Sequence, residues 1–338
     1  MNLIKSFIYS AFIALIGFVS AETIDISEYT KNLFTVNLTE TSTYEVEGST
    51  CTVNMVYIEG TCTGSYFNGE LVFKDSSVVT KTYKDGTVAS KSRYFIEGSD
   101  KDENSGHIHI EDNLIGKDNE GHDIVSPIII TDIQDLAWLQ VAQVIGIIEE
   151  TDNGKTITYM WNENDTTPKP FPEVHIPDMT IDYPRKVFAV DVIPGGLGFN
   201  IFPGVNGTFA GKYGFNCAAN TLNETDSAIK FHGEGLDYFV DIRHNYPDQI
   251  QFLSARYIIE GVDDEGETHK IYVENIGVDE NGENLNVRTN PIFITDNPKW
   301  AWLETAPIYG NMTMEPSIQI FFYTLDGVIP EPEEPEPE

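Results

Sequence analysis

Five residues in the second half of the chain carry the side chains with which chemistry is done. Asp237, Tyr238, Arg256, Glu274 and Arg288 supply two carboxylates, a phenol and two guanidinium groups. A guanidinium grips a carboxylate or a pair of hydroxyls in bidentate fashion, and a carboxylate beside a phenol can pass a proton. Gathered in the mouth of a barrel, Asp237, Tyr238 and Arg288 would hold an oxygenated ligand. Trp302 offers a flat ring for stacking on it, although a tryptophan in a repeated Ala-Trp-Leu block is also an ordinary core residue.

Arg256 is matched earlier in the chain by Arg93, and Glu274 by Glu111. Each arginine sits in an apolar strand and each glutamate in the next one. The pair therefore reads first as an ion pair that fixes register, and second as a clamp for a ligand carboxylate or hydroxyl.

Two patterns point toward metals and then away from them. Asp100, Asp102, Asn104 and Glu111 have the spacing of a calcium loop, but its glycine arrives one place late, as Gly106. His107 and His109 would share one strand face, yet Lys270 and Tyr272 stand in their places in the second half. No metal and no cofactor is expected. Cys51 and Cys62 bracket what reads as one hairpin and are the expected disulfide, with Cys217 left over as a small buried hydrophobe. No local Ser-His-Asp or Cys-His signature supports hydrolase chemistry.

The elements that must position these groups come in two sets. Arg93-Tyr94-Phe95-Ile96-Glu97-Gly98 returns as Arg256-Tyr257-Ile258-Ile259-Glu260-Gly261. Pro127-Ile128-Ile129-Ile130-Thr131-Asp132 returns as Pro291-Ile292-Phe293-Ile294-Thr295-Asp296, and Ala137-Trp138-Leu139 as Ala301-Trp302-Leu303. An earlier block, Ile58-Glu59-Gly60-Thr61 with Gly64 and Tyr66, is aligned with Val205-Asn206-Gly207-Thr208, Gly211 and Tyr213. Order and spacing are kept, so the chain reads as two homologous domains.

Within each copy, short runs rich in Ile, Val, Thr, Tyr and Phe alternate with turn chemistry such as Asp85-Gly86. The expected fold class is all-β: two tandem antiparallel barrels with few helices, closed because closure removes edges. The expected layout is a signal peptide over 1–21, a first barrel over 22–164 and a proline-rich linker over 165–178. A second barrel follows over 179–328 and an acidic Pro/Glu tail over 329–338.

In order and character the second copy resembles the domain of unknown function 3237 family. It carries Gly235-Leu236-Asp237-Tyr238, the Arg256-Tyr257 strand, the Asp264-Glu265-Gly266 turn and the late Trp300-Ala301-Trp302-Leu303 signature. The resemblance covers nearly all of the second copy and, more weakly, the first from Cys51 to Trp161. It implies a calycin-like or lipocalin-like barrel and little about activity. The first copy departs from the pattern before Arg93, where the stretch is shortened and has no match for Asp237-Tyr238, and it has no arginine matching Arg288. The second barrel is thus the expected host of a site.

The chain carries 54 acidic against 20 basic residues, a net charge of −34. Such a surface repels phosphate backbones and anionic bilayers, so neither a nucleic-acid partner nor membrane insertion is expected. Asn-X-Ser/Thr acceptors at Asn37, Asn164, Asn206, Asn223 and Asn311 suit surface loops of a secreted, fungal-type glycoprotein. The leading expectation is an extracellular binding protein for a small apolar or sugar-like ligand in the second barrel. An isomerase, cyclase or lyase working through Asp237, Tyr238 and an arginine is the rival, and a structural wall or matrix protein is the third reading.

Overall fold

β-Branched and aromatic residues recur through the chain at strand spacing and fit a pleated surface better than a helix. The computed structural model accordingly shows seventeen strands among the residues it describes. It describes residues 23–72, 76–152, 154–169, 185–244, 250–278, 286–313 and 317–325. The expected signal peptide, the acidic tail and residues 170–178 of the expected linker lie outside them. Among the described residues no helix is long and apolar enough to cross a membrane.

The chain divides into two compact units, Met1–Glu45 with Val53–Pro170 and Val46–Thr52 with Phe171–Glu338. Each carries one closed antiparallel barrel of the eight-stranded type.

In the first barrel the strands are β1 (Lys31–Glu47), β2 (Cys51–Thr63), β3 (Phe67–Leu71), β4 (Ser77–Tyr83), β5 (Val88–Asp100), β6 (Ser105–Lys117), β7 (Asp123–Thr131), β8 (Val144–Thr151) and β9 (Gly154–Trp161). β3 and β4 share the place of one strand between β2 and β5, and β1 closes the ring by pairing with both β2 and β9. The second barrel runs in simple order through β10 (Arg185–Pro203), β11 (Phe209–Asn220), β12 (Phe231–His244), β13 (Ile250–Asp263), β14 (Thr268–Val278), β15 (Asn286–Thr295), β16 (Ile308–Thr313) and β17 (Ile318–Thr324).

Eight strands enclose a lumen just wide enough for side chains to fill, and both lumens are filled. Leu33, Phe34, Phe67, Tyr94, Ile96, Ile110 and Tyr159 are fully buried in the first. Phe188, Phe293 and Phe322 meet in the second with ring centroids 4.9 to 5.6 Å apart. A 3-10 turn stands at the equivalent place in each barrel, Gln134–Gln140 and Pro298–Glu304, burying Leu136 and Leu139 in one and Trp300 and Leu303 in the other.

Strand register puts the repeated blocks in equivalent places. Arg93 lies opposite Glu111 and Arg256 opposite Glu274, while Asp112 pairs with Pro127 and Asn275 with Pro291. Asp100 and Asp263 close equivalent turns by accepting two backbone N–H groups each, at 2.9 Å.

The earliest block is aligned differently from expectation. Cys62 pairs with Gly69 and Ala219 with Gly233, which makes Ala219 the match of Cys62. Tyr66 therefore belongs to the β2–β3 connection, whereas Tyr213 sits inside β11. The stretch before Arg93 is likewise not simply shortened, because the β4–β5 register makes Ser76 and Ser77 the counterparts of Asp237 and Tyr238.

The expected Cys51–Cys62 disulfide does not form. Both residues lie on the single strand β2, where no hairpin brings them together. Eleven residues of extended chain span roughly 36 Å, against the less than about 7 Å that a disulfide allows between Cα atoms. Cys51, Cys62 and Cys217 are buried thiols.

Candidate functional site

Alternation along each strand decides where the expected site residues point. On β13, Ala255, Tyr257 and Ile259 belong to the core, so Arg256 faces the other way. On β14, Ile271 and Val273 are core residues and Glu274 is on the outer face. Phe293 on β15 packs inward, which turns Arg288 outward. On β12, Asp237 shares the inward face of Phe239, and Tyr238 takes the outer one.

Four of the five residues thus lie outside the second lumen and one inside. Arg288 pairs with Val278, four residues from Glu274, a separation of roughly 13 Å along β14. The structure does not bring Asp237, Tyr238 and Arg288 to one mouth. Tyr238 is half-buried with the Lys212 ammonium 5.7 Å from its ring centre. Trp302 packs against the second core from the 3-10 turn.

The two Arg–Glu pairs are buried outer-face contacts. Arg93 Nη2 donates to Glu111 Oε1 at 2.9 Å, and Arg256 Nε lies 3.8 Å from Glu274 Oε1. All four side chains are 5% exposed or less. In the first barrel this is the register-fixing ion pair expected from sequence. Glu111 is thereby committed away from the calcium-loop pattern, while Asp100 braces its turn with its carboxylate within 4.8 Å of those of Asp102 and Asp135. His107 Nδ1 lies 2.7 Å from Asp132 Oδ2, and His109 packs its ring 4.4 Å from that of Phe95.

A polar cluster that sequence reasoning missed lies inside the first lumen. Oδ2 of Asp112 accepts hydrogen bonds from Ser92 Oγ at 2.8 Å, Tyr94 Oη at 3.0 Å and Tyr159 Oη at 2.7 Å. The two tyrosine hydroxyls also touch each other. Burial raises the Asp112 carboxyl, while the three hydroxyl donors and the charge of Lys169 pull it back down. Both tyrosines are pushed well above the ordinary phenol value, by burial first and by the Asp112 charge second.

Lys169 itself is half-buried, donating to Pro127 O at 2.8 Å and Val144 O at 3.2 Å. It fills the place where β7 and β8 part, since their pairing is confined to Asp123–Val125 with Gly146–Ile148. Desolvation lowers its pKa to about 8.

The second lumen has the same positions with different chemistry. Tyr257 stands for Tyr94, Ala255 for Ser92 and Asn275 for Asp112. Phe322 stands for Tyr159, because Phe188–Phe322 matches Phe34–Tyr159. The Tyr257 hydroxyl and Asn275 Oδ1 are left buried with no hydrogen-bond partner among the described residues. Burial, with the Asp237 and Cys217 charges behind it, pushes the Tyr257 hydroxyl up. The signal that could have found these clusters was in view: the residue after each repeated glutamate is Asp112 in one copy and Asn275 in the other, both inward-facing.

The first barrel also carries an accessible recess. Tyr66, Trp138 and Trp161 line a concavity of about 340 Å³, a size at the small end of ligand pockets. Trp138 and Trp161 lie 4.4 Å apart between ring centres at 44° to each other, and Tyr66 meets Trp138 at 5.8 Å and 69°. Each ring is held by a rigid element. Trp161 ends β9 and pairs with both Lys31 and Val144, and Trp138 accepts the Val141 N–H that closes its 3-10 turn. The loop before Tyr66 is braced by Asn68, which bonds Gly64 through both halves of its amide, at 3.1 and 3.0 Å.

Barrel closure does not require these rings. The second barrel has Thr324 where the first has Trp161, and Lys230, whose ammonium reaches Glu224 O, where the first has Tyr66. Trp302 matches Trp138 without a recess partner of either kind. Of the acceptor asparagines, Asn37, Asn164, Asn206 and Asn223 are exposed, and Asn311 is half-buried on β16. Asn37 lies on β1 instead of in the expected loop.

No family model matches this chain, and neither a curated protein nor a solved structure does.

Proposed function

We propose that this is a secreted binding protein, akin to the domain of unknown function 3237 family, whose small-molecule ligand seats in the aromatic recess of the first barrel. The observation that carries the reading is the surplus of rings at Tyr66, Trp138 and Trp161, partly exposed where the equivalent end of the second barrel keeps only Trp302. Preorganised aromatic surface binds at low entropic cost. Both lumens are packed with side chains, which favours an end-on site over a lipocalin-type calyx. Asp237 faces the second lumen while Tyr238 and Arg288 face outward, which favours binding over proton transfer by these three residues together.

The test is a titration of the whole secreted chain with a panel of glycosides, alkylammonium salts and apolar probes, read by tryptophan emission and melting temperature. A ligand for the folded state raises the melting temperature by mass action, and Trp161→Ala should abolish both responses. If no member of the panel changes either signal, the reading fails.

A further inference from the structure

We infer that the recess takes a quaternary ammonium group. This rests on the reading of the recess as a binding site and names the chemistry it selects. Four observations on the first barrel lead there.

The three rings do not form a platform. Trp138 and Trp161 pack against each other at 44° and Tyr66 meets Trp138 edge-on at 69°, so the rings present an open, angled surface to a convex group instead of one flat face for a sugar. The aromatic face carries negative potential, and a cation within about 6 Å of the ring centre is drawn to it.

Among the described residues the recess is lined by aromatic rings. A sugar would surrender the hydration of its hydroxyls there with few groups to replace it, a cost of about 1–3 kcal/mol for each group left unpaired. A quaternary ammonium has no N–H to satisfy and loses only weakly held water.

The electrostatic setting favours a cation. The chain carries a net charge of −34, which raises the local concentration of cations and repels anions. Asp135 is exposed on the turn that carries Trp138, its carboxylate accepting from Asn104, and Glu28 accepts from the side-chain amide of Asn162, the residue after Trp161. Two lysines share the neighbourhood. Lys169 turns its ammonium inward to Pro127 O and Val144 O, and Lys31 is the strand partner of Trp161.

The rings are also absent as a set from the equivalent end of the second barrel, so the recess is a property of one unit.

Choline, its neutral isostere 3,3-dimethyl-1-butanol and methyl β-glucopyranoside separate the outcomes in a tryptophan-emission titration of the full chain. Choline should bind at least tenfold more tightly than the isostere, weaken as salt is raised, and lose at least tenfold on Trp161→Leu while Trp161→Phe keeps most of it. A melting curve on each variant distinguishes lost binding from lost folding. Equal or tighter binding of the isostere overturns the cation assignment and leaves an apolar binding site. Binding of the glucoside without choline overturns it in favour of a sugar. No response to any of the three overturns the cation assignment too, and the wider panel above decides whether the recess binds anything.

Discussion

Tyr159 donates its hydroxyl to Asp112 across the first lumen at 2.7 Å, and the pair that occupies the same places in the second lumen is Phe322 with Asn275. One barrel has closed a hydrogen-bonded cluster on itself, and the other has kept the tyrosine while losing its partners. The two equivalent tyrosines should therefore answer the same substitution with opposite signs. Tyr94→Phe removes a donor from a buried carboxyl and should cost about 1–3 kcal/mol. Tyr257→Phe removes a buried hydroxyl that has no partner among the described residues and should be neutral or stabilising. Chemical denaturation of the two variants checks this, and equal losses would contradict the assignment.

The Asp112 cluster also sets a pH dependence. Its folded carboxyl lies above the ordinary value, so the folded barrel holds that proton more tightly than the unfolded chain. The stabilisation is complete below about pH 4 and is lost as pH rises through the folded value. Asp112→Asn removes this loss. The melting temperature of Asp112→Asn relative to the parent should rise as pH is raised above about 4; a constant difference would show that Asp112 does not titrate abnormally.

Lys169 works in the other direction. Its pKa falls from 10.5 to about 8 on folding, so the unfolded chain binds the extra proton across that interval. Stability should increase between about pH 8 and 10.5, by about 3 kcal/mol if the whole shift is realised. Lys169→Met, which keeps the apolar stem, should lose that rise in a pH series of melting curves.

Glu111→Ala removes the carboxylate that lies 2.9 Å from a buried guanidinium. A loss of about 3–5 kcal/mol is expected. Glu111→Ala combined with Arg93→Met should recover much of it, and the double-mutant cycle measures the coupling.

The cysteines should behave as buried thiols. Burial pushes Cys62 up to about 12 and raises Cys217 further. Thiol reagents should label neither in the folded protein, and three thiols should be counted after denaturation. A melting temperature that drops on addition of reductant would reveal a disulfide instead.

Much of the architecture was legible in the residues themselves. Period-two alternation, turn chemistry at Asp85-Gly86 and Asp264-Glu265-Gly266, and the return of the Arg-Tyr and Ala-Trp-Leu blocks point to two all-β copies without any coordinates, because local propensity and repetition are properties of the chain. The Arg93–Glu111 pairing followed from the same repeat. What the chain alone did not reveal depends on which face of a strand a residue occupies and on which strands close the ring. A single step in register sends Tyr238 outward and Asp237 inward, and one uninterrupted strand instead of a hairpin separates Cys51 from Cys62. The recess assembles from a connection, a 3-10 turn and a strand end far apart in sequence, so Tyr66, Trp138 and Trp161 become neighbours only when β1 meets β9 and the barrel closes.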